Sequence, residues 1–284
     1  MPDGSVPVRI RCKTDRVIQS LGGTEVHDFS SKAVGDTFRI FIGQCGSNPE
    51  AALVVADGNG LFGLTVDTIR LMQIPGLVLS LLVVGIGYPG AETVIETVEA
   101  RTRDLTPTPS KEFKGSGHAD DFLTFIRTEL HPWLADKHPE AANDLTYFGH
   151  SLGGLFGAYA LVSNTALFRR YILSSPSLWW DNEAIFDLAL ASVDRGVNAE
   201  VFFGIGSLET DAGRRLEGRN LPDGHPFKPP AAHLDMVDDT RRFVAQLESQ
   251  NEEGRKVTSI EIADEFHATV PAVVLNRALR EFYD

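Results

Sequence analysis

Cysteine is scarce in this chain: 284 residues carry two, Cys12 and Cys45. Two thiols cannot staple a small loop-rich fold, and without clustered histidine partners they do not supply a structural zinc site. Long apolar runs are missing too. The longest, Gly76 to Ile86, falls short of the roughly 20 residues that a spanning helix needs. The segment Met1-Pro2-Asp3-Gly4-Ser5-Val6-Pro7 lacks the apolar core of an export signal, so a soluble, cytoplasmic protein is expected. Positive charge is in deficit. Basic side chains number 26 against 39 acidic ones, and the net charge of −13 repels nucleic acid and anionic membrane surfaces. Neither partner is expected, and a small molecule remains the natural ligand. Internal repeats and low-complexity tracts are absent, and nothing sets an oligomeric state.

What is present is an apolar content of 43%, enough to bury one large core. Strand-like and helix-like segments alternate. That pattern predicts an α/β fold, a mostly parallel sheet of about eight strands with helices on both faces, as one domain over residues 1–284. Thr24 to Phe29 and Thr37 to Cys45 read as an opening antiparallel pair. Ala51 to Ala56, Leu79 to Gly87, Leu145 to Phe148, Tyr171 to Ser174, Val201 to Ile205 and Thr258 to Ile262 read as further strands. A single helix face is formed by Phe122, Phe125, Ile126, Leu130, Trp133 and Leu134. Two stretches have no clear period: 89–117, with Pro107 and Pro109, and 210–233, rich in glycine, proline and charge. Both are expected as pocket or lid loops.

The most specific signal is Leu145-Thr146-Tyr147-Phe148-Gly149-His150-Ser151-Leu152-Gly153-Gly154. An apolar strand runs into G-x-S-x-G and out into helical spacing at Leu155, Phe156 and Tyr159, which is the context of a nucleophile elbow. Small neighbours let the backbone turn sharply enough to lift the Ser151 hydroxyl clear of the sheet. A serine hydroxyl needs an adjacent base, and chain order places that base after the last strand, where His267 stands. His225 and His233, on a loop between strands, are the alternatives, while His150 sits beside the nucleophile and is expected to point elsewhere. The third member should be a carboxylate at a strand end. Glu209 answers that description, with Asp211 two residues on as the alternative. Backbone amides of Leu152 and Asn59 are the candidate oxyanion donors, although the Asp57-Gly58-Asn59-Gly60 turn reads equally well as an ordinary helix start.

Several blocks in order resemble the esterase branch of the α/β-hydrolases that includes enterochelin and salmochelin esterases, feruloyl esterases and mycolyltransferases. They are Ala56-Asp57-Gly58-Asn59, Gly85-Ile86-Gly87-Tyr88-Pro89, Arg101-Thr102-Arg103-Asp104-Leu105-Thr106-Pro107, the Ser151 elbow, Ser174-Ser175-Pro176-Ser177-Leu178-Trp179-Trp180 and His267. The Tyr88-Pro89, Arg103 and double-tryptophan blocks are most similar to the siderophore-esterase subgroup. The resemblance implies an α/β-hydrolase fold and a serine carboxylic-ester hydrolase that forms an acyl-enzyme on a small-molecule ester, with no metal or organic cofactor. In some relatives the acid member is dispensable, which bears on Glu209. Arg103 is the candidate to face an anionic or catecholate group, an ion pair with Asp104 being the other reading. Trp179 and Trp180 are candidates for an aromatic wall, one of them at least expected in the core. An acyltransferase on the same scaffold, or a ligand carrier that has kept the fold, are the competing functions.

Overall fold

The computed structural model describes residues 22–163, 166–192, 199–223, 234–250 and 255–283. Two clusters of apolar side chains lie on opposite faces of one sheet, because successive residues of a strand point to opposite sides. Along β3 (Ala51–Val55), Ala52 and Val54 join one cluster and Leu53 and Val55 the other. Fully buried strands of this kind carry continuous apolar runs, which is how they read in the sequence.

The sheet opens with β1 (Thr24–Ser30) and β2 (Thr37–Cys45), an antiparallel pair as expected. Helix α1 (Gly58–Gln73) links β3 to β4 (Leu81–Gly87). The stretch expected as a loop over 89–117 contains a 3-10 turn, Val94–Thr97, and the short helix α2 (Val98–Asp104). Its helical period is too brief, at seven residues, to stand out in sequence.

The helix expected through residues 122–134 is divided into α3 (Ala119–Phe125), a π-helical turn Ile126–Leu130 and α4 (His131–Lys137). Pro132 has no N–H to return to the preceding turn, so the hydrogen-bond ladder widens there. After a short α5 (Pro139–Ala142) come β5 (Leu145–His150), α6 (Leu152–Val162) and β6 (Arg170–Ser174). Then follow α7 (Trp180–Leu190), β7 (Ala199–Gly206), α8 (Asp211–Glu217), α9 (Met236–Ser249), β8 (Arg255–Ile262) and α10 (Val270–Tyr283). Part of the second expected loop is thus helical, and residues 224–233, with the alternative histidines His225 and His233, lie outside the described residues.

The eight strands are ordered β1-β2-β4-β3-β5-β6-β7-β8. From β4 to β8 every pairing is parallel, and β2 meets β4 antiparallel. This is the α/β-hydrolase arrangement. Helices α1 and α10 cover one face through Phe62, Val66, Val274 and Leu275, while α3, α6, α7 and α9 cover the other. Because β5, β6, β7 and β8 are parallel neighbours, the residues that follow each emerge side by side at one edge.

Phe38 anchors the antiparallel end of the sheet, fully buried and stacked on Phe125 with ring centroids 4.4 Å apart. Phe38→Ala should cost about 3–5 kcal/mol, the usual range for emptying a buried phenylalanine site. Urea unfolding should show it as a lower midpoint with an unchanged slope.

Candidate active site

The turn between β5 and α6 places Ser151 at φ 59° and ψ −120°, a conformation that a residue with a side chain holds only under constraint. The constraints are visible. Its amide donates to the Ser174 carbonyl at 3.0 Å, and its own carbonyl accepts the Leu155 and Ser177 amides at 3.0 and 3.1 Å. A Cβ on Gly149 would overlap the Gly153 carbonyl, and one on Gly154 would lie 2.8 Å from Pro176 Cα. Glycine at both positions lets strand, turn and helix close on one another. The Ser151 hydroxyl rests 3.3 Å from Ser177 Oγ.

His267 lies in the loop between β8 and α10, and its Nδ1 is 2.6 Å from Glu209 Oε2. Glu209 follows β7 and is fully buried. Register explains the meeting: Gly206 pairs with Ile262, so the turns after β7 and β8 leave the sheet together. The Leu208 amide then donates to the Glu265 carbonyl at 3.1 Å, and Asp264 donates its amide to Ser207 Oγ at 3.0 Å. Farther along, the Ala268 amide donates to Glu217 Oε1 at 2.8 Å, and Glu217 is paired with Arg214. Asp211 is elsewhere. Its carboxylate accepts the Leu234 amide, at the start of α8.

Burial first, and the Arg214 guanidinium second, hold the His267 imidazole below its ordinary range, so it is a neutral acceptor. Burial pushes the Glu209 carboxyl up. Donation to Oε1 from the Ser175 hydroxyl at 2.6 Å and the Gly206 amide at 2.8 Å pulls it back toward the ionised form. His150 does not point away from the site as expected. Its ring centroid lies 4.4 Å from that of His267, and its Nδ1 is 3.0 Å from Ser174 Oγ. Burial, then His267, holds His150 at about 3.

Leu152 and Asn59 begin the first turns of α6 and α1, which meet where β5 and β3 lie side by side. A Cβ on Gly153 would sit 3.4 Å from Asp57 Oδ2, so the two helix starts touch. Among the described residues neither amide is taken by a backbone acceptor, and helix N-termini present such free donors to an anion. The Asn59 side chain fixes its own turn by accepting the Tyr88 amide at 2.8 Å and donating to the Ala91 carbonyl at 2.7 Å. Beneath it, buried Arg101 grips Asp57 through two bonds of 2.7 and 2.8 Å. Asp57, at φ 54°, is thereby held in the left-handed region.

A family model described as putative esterase matches residues 80–259. The chain belongs to the putative esterase family. It is 28% identical to ferri-bacillibactin esterase BesA of Bacillus subtilis strain 168, over 92% of this chain and 90% of that protein. A siderophore triacetylfusarinine C esterase of Aspergillus fumigatus is 29% identical over 85% of this chain and 84% of its own. Among solved structures, siderophore hydrolase EstB from Aspergillus nidulans superposes with a TM-score of 0.78 at 25% identity, covering 95% of this chain and 98% of its own.

In this esterase Arg103 and Trp180 both make contacts within the fold. Arg103 donates to Asp104 through Nε at 2.7 Å and Nη2 at 2.9 Å, and to Asp36 through Nη1 at 2.7 Å. Its guanidinium is the counter-ion of a fully buried carboxylate, the ion pair that was the other reading of this residue. Trp180 is the one in the core: it is buried, donates to the Thr108 carbonyl at 3.0 Å and packs on Phe113, so it ties down the 105–118 segment. Trp179 is half-buried against Ile205, Leu234, Met236 and Val237. The buried Arg101–Asp57 pair, Ser175 and Ser177 escaped the sequence reading, although each lies within a block that carried the resemblance.

Arg103→Ala should therefore destabilise by about 3 kcal/mol, because Asp104 is left buried without its partner. KM for neutral and for catechol-bearing esters should shift alike. A KM rise confined to the anionic ester, measured beside the unfolding curve, would place Arg103 at the substrate.

Proposed function

We propose that this esterase is a serine carboxylic-ester hydrolase working through an acyl-enzyme, with Ser151 as nucleophile, His267 as base and Glu209 as acid. The supporting observation is the 2.6 Å contact of His267 Nδ1 with Glu209, at the edge where the Ser151 turn emerges. That contact spends Nδ1–H on the carboxylate and leaves Nε2 as the acceptor. On substrate binding the Ser151 hydroxyl exchanges Ser177 for His267 Nε2. As Ser151 Oγ attacks the ester carbonyl, its proton passes to Nε2, and Glu209 compensates the imidazolium. The oxyanion is held by the Leu152 and Asn59 amides. Collapse expels the alcohol with the proton from His267, and water, deprotonated by the same nitrogen, releases the acid and restores Ser151.

The substrate class belongs to the same reading. Relatives that match along most of the chain are named a ferri-bacillibactin esterase and a siderophore triacetylfusarinine C esterase, which supports a siderophore-like, aromatic or hydroxy-acid ester. The buried free thiol of Cys45 fits a cytoplasmic setting. A panel of short acyl esters, aromatic acyl esters and hydroxy-acid trilactones, with products identified by mass, tests the class. A preference for short acyl esters would remove the siderophore reading.

Ser151→Ala should abolish labelling by a fluorophosphonate probe and lower kcat by about 10⁴-fold or more. Glu209→Gln should lower kcat by about ten- to ten-thousand-fold, since the wrong imidazole tautomer is then favoured. Asp211→Asn should leave kcat near wild type. Labelling that survives Ser151→Ala would end the mechanism, and a larger effect at Asp211 would move the acid.

A further inference from the structure

The mechanism gives the run Ser174-Ser175-Pro176-Ser177, which starts at the last residue of β6, no part in the bond-making steps. Its three hydroxyls meet three different residues of the site. Ser174 Oγ lies 3.0 Å from His150 Nδ1, Ser175 Oγ donates to Glu209 Oε1 at 2.6 Å, and Ser177 Oγ lies 3.3 Å from Ser151 Oγ. All three serines are buried. The backbone is fixed as firmly, with the Ser175 amide on the Gly204 carbonyl at 2.8 Å and Pro176 against the Gly154 position. Ser175 itself is held at φ 42°.

We infer that Ser174–Ser177 is the positioning segment of the catalytic machinery, and that Ser175 is the residue that holds Glu209 with Oε2 turned to His267. The inference rests on the assignment of Glu209 as the acid. A carboxylate can accept on both oxygens, and here Oε1 takes the Ser175 hydroxyl and the Gly206 amide. Those two donors fix the plane of the group. Oε2 is left for the imidazole.

The charge balance around Glu209 makes these donors matter. The titratable or charged groups that face it are His267 after β8, His150 at the end of β5, and Arg214 on α8. Burial keeps both histidines neutral, and Arg214 is engaged by Glu217. Compensation of a fully buried carboxylate therefore falls largely on Ser175 and Gly206. The Gly206 donor is backbone. Ser175 is the one a substitution can remove.

The test compares Ser175→Ala, Ser175→Gly, Glu209→Gln and Ser175→Ala/Glu209→Gln by steady-state kinetics on an activated neutral ester, with melting curves as a folding check. Glycine is at ease at positive φ, so an effect shared by Ala and Gly belongs to the lost hydroxyl. Both variants should lower kcat by about 10- to 100-fold, less than loss of the acid itself, with KM unchanged. The acid limb of the kcat profile should move to higher pH, because a carboxyl without that donor keeps its proton to higher pH. In the Glu209→Gln background Ser175→Ala should add nothing. Wild-type kcat and pH profile in both Ser175 variants, beside a damaged Glu209→Gln, would overturn this inference alone. A silent Glu209→Gln would overturn the acid assignment and this inference together. Additive losses would show a structural role and overturn it as well. If the alanine variant does not fold, the glycine variant carries the same comparison, alone and in the Glu209→Gln background.

Discussion

The backbone of Ser151 is the constraint on which the rest of the site depends. Its positive φ costs of order 1–3 kcal/mol and persists because its surroundings over-determine it. The amide is tied to Ser174, the carbonyl is shared by Leu155 and Ser177, and Gly149 and Gly154 leave no slack on either side. Tyr147, in the core below, adds a hydroxyl bond to the Gly153 carbonyl at 2.7 Å. Strand β5, helix α6 and the Ser174–Ser177 run are thus locked through one residue. The same turn that carries the Ser151 hydroxyl leaves the Leu152 amide beside it without a backbone acceptor, so the proposed nucleophile and the proposed donor have a single structural cause.

Parallel register does the rest of the assembly. Phe148 pairs with Ile172, Ile172 with Phe202, and Phe202 with Thr258, so residues far apart in sequence reach one edge at one height. Glu209 and His267 are 58 positions apart, yet their strands are neighbours. The imidazole is then enclosed from several directions, by Glu209 at Nδ1, by the His150 ring and by the Glu217 bond to the following amide. A ring so enclosed has little freedom to turn Nε2 away.

How much of this was legible in the sequence differs residue by residue. Strand runs such as Leu81–Gly87 and Ala51–Val55 stood out because parallel strands buried on both faces are apolar throughout. Ser151, His267 and Glu209 stood out as candidates through an elbow, a chain order and a strand end. Helix α2 did not, because seven residues give less than two full periods and Pro107 and Pro109 suggested a loop. Arg103 is left open by the sequence for a different reason. Whether a guanidinium faces a ligand or a carboxylate depends on the burial of Asp104, and burial is a property of the folded chain. His150 shows the same limit, since its approach to His267 is set by the turns after β5 and β8 together.

The charges of the site are arranged in pairs, and this pattern bears on what the site can do. Arg101 answers Asp57, Arg214 answers Glu217, and Arg103 answers Asp104, each a cation held by a carboxylate rather than by solvent. What remains is the His267 imidazole on Glu209, a buried carboxylate with two further fixed donors, and two helix starts whose first amides have no backbone acceptor. Under the proposed mechanism the tetrahedral step creates one negative and one positive charge. The negative one forms where amides already point, and the positive one forms against Glu209. Neither needs a side chain to travel, so the reorganisation that water would have to undergo is already built into the fold. The paired arginines keep that arrangement electrically quiet in the resting state. Each of the three guanidinium groups is already answered by a carboxylate, so under that mechanism the charge created in the tetrahedral step falls to the amides and to Glu209.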